Sequence, residues 1–182
     1  MSTKNVISLQ VPLSNDAGYV LEDELLFTSP THGNIPFNDM CNRLTETLTK
    51  SPSDKYTIMV GTDSHIHNNR DVCFVTVVFV YRVSKGGYFF YRKFKRRNIT
   101  NLKQRMLYEA TQSLTAASLL CEELHKSGCA SVNLEVHADV GNRGDTRTMV
   151  KEIVSMIEAQ GFVSRVKPDA PAATKLADRF TR

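Results

Sequence analysis

Four acidic residues sit on four separate stretches of this 182-residue chain. They are Asp63 in Gly61-Thr62-Asp63-Ser64-His65, Glu109, Asp139 in His137-Ala138-Asp139-Val140-Gly141, and Asp178 in Ala177-Asp178-Arg179. Small residues close to three of them leave room around a carboxylate. Several carboxylates delivered to one point hold hard divalent cations such as Mg²⁺ or Mn²⁺, and a pair of such cations is a common device for phosphodiester hydrolysis. Each residue also has a plainer use. Glu109 follows Arg105 by four residues, the spacing of a surface ion pair on a helix, and Asp178 stands in the same relation to Arg182. Asp139 suits a turn. Asp63 has the least structural reason to be acidic, because it follows an apolar stretch and Gly-Thr.

The elements that must position these groups follow from periodicity. Phe37, Met40, Cys41, Leu44 and Leu48 recur at helical spacing, with Pro36 suited to the first turn and Ser51-Pro52 ending the helix. Tyr56 to Asp63 reads as a strand, Val72 to Val83 as a second, and Tyr88 to Lys95 as a third after the turn signal Ser84-Lys85-Gly86-Gly87. Thr100 or Asn101 caps a long helix to about Lys126, with Leu107, Ala110, Leu114, Ala117, Cys121 and Leu124 as its apolar stripe. Ser131 to Ala138 alternates, with Val132, Leu134, Val136 and Ala138 on one face and Asn133, Glu135 and His137 on the other. A helix with Met149, Val150, Ile153 and Ile157 inward ends at Gly161. Phe162 to Lys167 is a fifth strand, and Ala173, Leu176, Ala177 and Phe180 mark a short closing helix.

Three strands joined by short turns are antiparallel, and strands reached through helices are parallel crossovers. The expected fold is α/β: a mixed five-stranded sheet, three antiparallel then two parallel strands, with helices on both faces. Residues 1–35 read as a partly irregular extension and 36–182 as the domain. Asp63 and Asp139 then end two strands that emerge at one edge of the sheet, where open α/β sheets place ligands. Glu109 flanks the stripe of the crossover helix, and Asp178 flanks the last one.

Composition adds limits. The apolar run from Val72 to Val83 is broken by Thr76 and Arg82 and is too short for a membrane span. The N-terminus has no basic region followed by a continuous apolar stretch, so no signal peptide is expected and a cytoplasmic location is the default. Cys41, Cys73, Cys121 and Cys129 lack metal-ligand spacing, lie among apolar or small neighbours and are expected as free, buried thiols. The net charge of +4 is unevenly spread: residues 1–26 carry one Lys against four acids. Five of the six residues Arg92, Lys93, Phe94, Lys95, Arg96 and Arg97 are basic. Such a run suits a polyanionic partner, or else a charged strand end that discourages edge pairing.

Val166-Lys167-Pro168-Asp169 followed by Leu176-Ala177-Asp178-Arg179 resembles the C-terminal end of ribonuclease H. More closely, Gly61-Thr62-Asp63-Ser64, Tyr91-Arg92-Lys93, Glu135 to Gly141, Thr146-Arg147 and Lys167-Pro168-Asp169 are similar to the YkuK family of predicted ribonuclease-H-like nucleases. The resemblance covers about Pro36 to Arg182. It implies that Asp63 is the first-strand carboxylate bridging two metals, Glu109 the helix carboxylate, Asp139 the fourth-strand one, and Asp178 the C-terminal one, with Asp169 its rival. It departs from ribonuclease H proper at Ser64, where Gly is usual, and at Asp169, in place of a His-bearing loop.

The implied function is a metal-dependent nuclease that uses two Mg²⁺ or Mn²⁺ ions on RNA, DNA or a hybrid. Arg92, Lys93, Lys95, Arg96 and Arg97 would hold backbone phosphates, with Arg143, Arg147 and the Gly141–Gly144 loop adding contacts near Asp139. His137, two residues before Asp139, would orient that carboxylate or move a proton. His65-Ile66-His67 resembles the His-x-His of metal-dependent amidohydrolases, whose barrel of about 250 residues this chain is too short to form. The alternative is a non-catalytic module of the same fold that binds nucleic acid or a protein.

Overall fold

A computed structural model describes residues 11–12, 19–20, 25–67, 71–141 and 147–181. Val11–Pro12 (β1) and Tyr19–Val20 (β2) form a separate antiparallel pair. Then come β3 (Leu26–Ser29), β4 (Gly33–Pro36), α1 (Phe37–Lys50), β5 (Tyr56–His67), β6 (Asp71–Arg82), β7 (Gly86–Arg97) and α2 (Leu102–Lys126). β8 (Asn133–Ala138), a 3₁₀ turn at Arg147–Met149, α3 (Val150–Ala159) and β9 (Val163–Val166) follow. The chain closes with a π-helical stretch, Ala172–Ala177, that runs into α4 (Asp178–Thr181).

Seven strands make one sheet in the order β4-β3-β7-β6-β5-β8-β9. β5, β6 and β7 are antiparallel neighbours, and β8 and β9 join β5 in parallel. This is the expected five-stranded arrangement with two additions. β3 and β4 form a hairpin inside the stretch expected to be irregular, and Thr28 attaches it to Tyr91 on the edge of β7. The additions are four residues each, too short to show a period.

Apolar residues recur at every second position on β5 through β8, and this divides the sheet into two faces. Ile58, Val60, Val78, Val80, Phe90 and Val136 pack with Met40 and Leu44 of α1, Leu120 of α2 and Ile153 of α3. α2 begins where Asn101 accepts a hydrogen bond from the Gln104 amide at 2.8 Å. On the opposite face Val75 and Val77 pack with Ala177, Leu176 and Phe180, and Phe180 stacks on Tyr91 at 4.2 Å.

This second layer explains two features. A Cβ on Gly61 would stand 2.6 Å from the Ala173 amide nitrogen, so the π-helical backbone lies directly on that glycine. Glu135 and His137 are buried on that same face, where the Ala172 amide of the segment meets the His137 ring. All four cysteines are free, but only Cys41 and Cys73 are buried; Cys121 and Cys129 are partly exposed. No helix among the described residues is long and apolar enough to cross a membrane.

Candidate active site

The parallel ladder between β5 and β8 ends with Thr62 opposite Ala138. The next residues on the two strands are Asp63 and Asp139. They are brought side by side although 76 positions separate them in the sequence. The C-terminal helix, held by the close approach at Gly61, adds Asp178. All three carboxylates line one cleft of about 530 Å³ at this sheet edge.

Glu109 comes from the other side. Strand alternation sends Asp63 to the face covered by the C-terminal helix and Ser64 to the face covered by α2. There the Ser64 hydroxyl donates to Glu109 Oε1 at 2.5 Å, and Glu109 is only 4% exposed. Next to this pair Thr62 Oγ1 lies 2.9 Å from Thr76 Oγ1 and accepts from Ser113 at 3.0 Å, which completes a buried polar row.

The electrostatics are those of crowded, desolvated carboxylates. Burial, reinforced by the charges of Asp139 and Asp178, pushes the Asp63 carboxyl up to about 6. Burial also lifts Glu109 well above the usual range; the Ser64 hydrogen bond opposes this and the charge of Asp63 adds to it. Two cations stand in the same cleft. Lys167, at the end of β9, places its Nζ 2.9 Å from Asp139 Oδ1, outside hydrogen-bonding geometry. Arg105 lines the wall with a buried Nε that has no hydrogen-bond partner. In the sequence Arg105 enters only as a possible partner of Glu109 and Lys167 only within the quoted motifs; neither is read there as a site residue. Lys167 reaches Asp139 only through the β8–β9 register, in which Ala138 pairs with Val166.

Among the described residues, no three His, Cys, Asp or Glu side chains form a ready-made metal site. Glu109 is turned to Ser64 and Asp139 to Lys167. The donor chemistry nevertheless fits a hard divalent cation: every candidate ligand is a carboxylate oxygen, and their mutual crowding is what a cation relieves.

The structure places other expected site residues elsewhere. His137 is 1% exposed, and both ring nitrogens are taken away from Asp139. The Ala172 amide donates to Nδ1 at 3.2 Å, which leaves Nε2 to donate to Glu135 Oε2 at 3.3 Å. Burial lowers the imidazole pKa, with Glu135 opposing, so the neutral form is favoured. A lowered folded pKa gives stability that is present above the unfolded value of about 6.5 and is lost as pH falls. Wild type should therefore exceed His137→Gln in urea stability at pH 7.5, and the gap should narrow at pH 5. A gap that widens on acidification would contradict the neutral assignment.

Asp169 is exposed and does not line the cleft, whereas Asp178 does. His65 and His67 lie within β5, which runs four residues past Asp63, and His67 Nε2 contacts the Thr181 carbonyl at 3.0 Å. His65 lines the cleft. The basic run is divided by alternation along β7. Arg92 turns inward and stacks over Phe94, 4.6 Å from the ring centroid. Arg96 donates to the Tyr108 hydroxyl at 3.0 Å, and Arg97 pairs with Asp71 at 3.2 Å. Lys93 and Lys95 are exposed, with no ion pair among the described residues. Arg147 is exposed, while Arg143 and most of the Gly141–Gly144 loop lie outside the described residues.

A β-β-β-α-β-α-β-α domain with acidic residues at the ends of its first and fourth strands defines a class of α/β protein. Comparison agrees: the ribonuclease H-like family model matches residues 39–182, and the chain belongs to that family. Among curated proteins it is similar to the uncharacterized protein YkuK of Bacillus subtilis (strain 168). The two are 28% identical over 173 residues, covering 89% of this chain and all of that protein. No solved structure gives a significant match.

Proposed function

We propose that this protein is a metal-dependent nuclease that hydrolyses phosphodiester bonds of nucleic acid. The observation that carries this reading is the convergence of Asp63, Asp139 and Asp178 on one cleft, with Glu109 buried behind Ser64. A purely structural role gives little reason to gather carboxylates where burial and like charge oppose ionisation. These four residues would hold Mg²⁺ or Mn²⁺. A pair of bound cations supplies Lewis-acid charge for the attacking and leaving oxygens.

The chain's own groups do the rest. Ser64 fixes Glu109, and the Arg105 guanidinium lines the cleft, a charge suited to a phosphate oxygen. Lys93 and Lys95 stand two strands from Asp63 on the same face, roughly 10 Å by ladder spacing. The C-terminal helix packs on Val75 between them, so these lysines suit phosphates away from the cut bond.

Lys167 against Asp139 and Ser64 against Glu109 satisfy two of the carboxylates within the chain, which favours a second reading, a non-catalytic module that binds nucleic acid. Labelled single-stranded RNA, duplex, hybrid and junction substrates separate the two when incubated with Mn²⁺, Mg²⁺ or chelator. Cleavage is expected with metal only, and Asp63→Asn should slow it about a thousandfold, the rate equivalent of roughly 4 kcal/mol. Tight binding with no cleavage in either metal would leave the module reading in its place.

A further inference from the structure

Lys167 forms an ion pair with Asp139, and three observations describe how it is held. Its backbone amide donates to the Val140 carbonyl at 2.9 Å, which fixes its start beside the Asp139 loop. Its stem lies over Gly141, where an added Cβ would come 3.1 Å from Lys167 Cβ, so the missing side chain makes the channel that aims the ammonium. The contact at Asp139 Oδ1, at 2.9 Å, is an ion pair without a hydrogen bond, and the Lys167 side chain is 50% exposed. Its head group can therefore leave the carboxylate for water without disturbing the core.

We infer that Lys167 is a displaceable counter-ion: its ammonium neutralises Asp139 in the metal-free protein, and a divalent cation must expel it to use that carboxylate. The displaced ammonium stays tethered over Gly141 at the mouth of the cleft, where a phosphate oxygen is its natural partner. Lys167 is then a positioning residue with two sequential partners, Asp139 before metal entry and substrate phosphate after it. This inference rests on the proposed nuclease reading, because it takes the divalent cation from there.

Titration calorimetry of the full chain with Mn²⁺ tests it without reference to turnover. Lys167→Met removes the competing charge and should tighten Mn²⁺ binding on the order of tenfold, while Lys167→Arg, which keeps the charge, should remain near wild type. Without metal, Lys167→Met should melt below wild type because Asp139 is left unneutralised. Saturating Mn²⁺ should close that difference. A merely structural lysine would give the opposite pattern: Mn²⁺ affinity unchanged or weakened in Lys167→Met, with the melting difference persisting in metal. That result overturns the inference while leaving the nuclease reading intact, because wild type would still bind Mn²⁺. Failure of wild type and variant alike to bind Mn²⁺ would overturn both.

Discussion

At pH 8 without divalent metal, Asp63→Asn is expected to unfold at higher urea than wild type, although the same change should cripple the proposed cleavage. Asp63 is 8% exposed, and burial raises its carboxyl from an ordinary 3.8 to about 6 in the fold, with the charges of Asp139 and Asp178 adding to the rise. A carboxylate with a raised folded pKa binds its proton more tightly in the folded state. Its favourable contribution is therefore complete below about pH 4 and is lost as pH rises through 6. Above that window the ionised group costs about 3 kcal/mol, each pKa unit being worth roughly 1.4. Asparagine keeps the shape and drops the charge. The variant should gain up to about 3 kcal/mol at pH 8, and the gain should vanish near pH 4. Urea midpoints at the two pH values measure it. Equal midpoints at pH 8 would mean that Asp63 is not under electrostatic strain.

Gly61→Ala is expected to have the second large effect, with the opposite sign. The added methyl would lie 2.6 Å from the Ala173 nitrogen and 3.0 Å from Ala173 Cα, and both are backbone atoms that cannot rotate aside. Either β5 or the C-terminal helix must shift. Overpacking of this kind typically costs about 1–3 kcal/mol, and the upper end is expected here because no flexible side chain absorbs it. For a chain of this size that corresponds to a fall in Tm of roughly 6–12 °C. The helix carries Asp178, so cleavage should fall more steeply than the remaining folded fraction explains. Thermal melts beside limited proteolysis at 172–181 provide the check. An unchanged Tm would show that the segment is not seated as described.

Element order was legible because its signals are local. Strand alternation, the turn at Ser84–Gly87 and the cap at Asn101 each operate within a few residues. The ends of β5 and the β3–β4 hairpin were not legible. His65 to His67 are strand only because β6 continues opposite them, and the β3–β4 hairpin joins the main sheet through Thr28 against the edge at Tyr91. Alternation puts Glu135 and His137 on one face of the sheet but does not say what lies over that face. A second layer built from Ala172, Ala173 and Ala177 covers them, and only the tertiary fold shows that those small residues lie on Gly61. The same limit applies to Glu109. Its spacing from Arg105 describes a surface pair equally well, and it is the Ser64 contact, 45 residues distant, that distinguishes the two. The basic run is continuous in sequence, but the pleat turns Arg92 and Arg96 to one face and Lys93 and Lys95 to the other.

The parallel ladder from Thr57–Asn133 to Thr62–Ala138 also bears on how the chain reaches this state. The β5–β6–β7 meander can assemble from near neighbours in sequence. The ladder that sets Asp63 beside Asp139 must close a loop holding two strands and a 25-residue helix. Such long-range pairing pays its entropy before its contacts form and is slow among folding steps. Asp63 and Asp139 meet only when that ladder closes, so their mutual repulsion is absent from any state in which β5 and β8 are still apart.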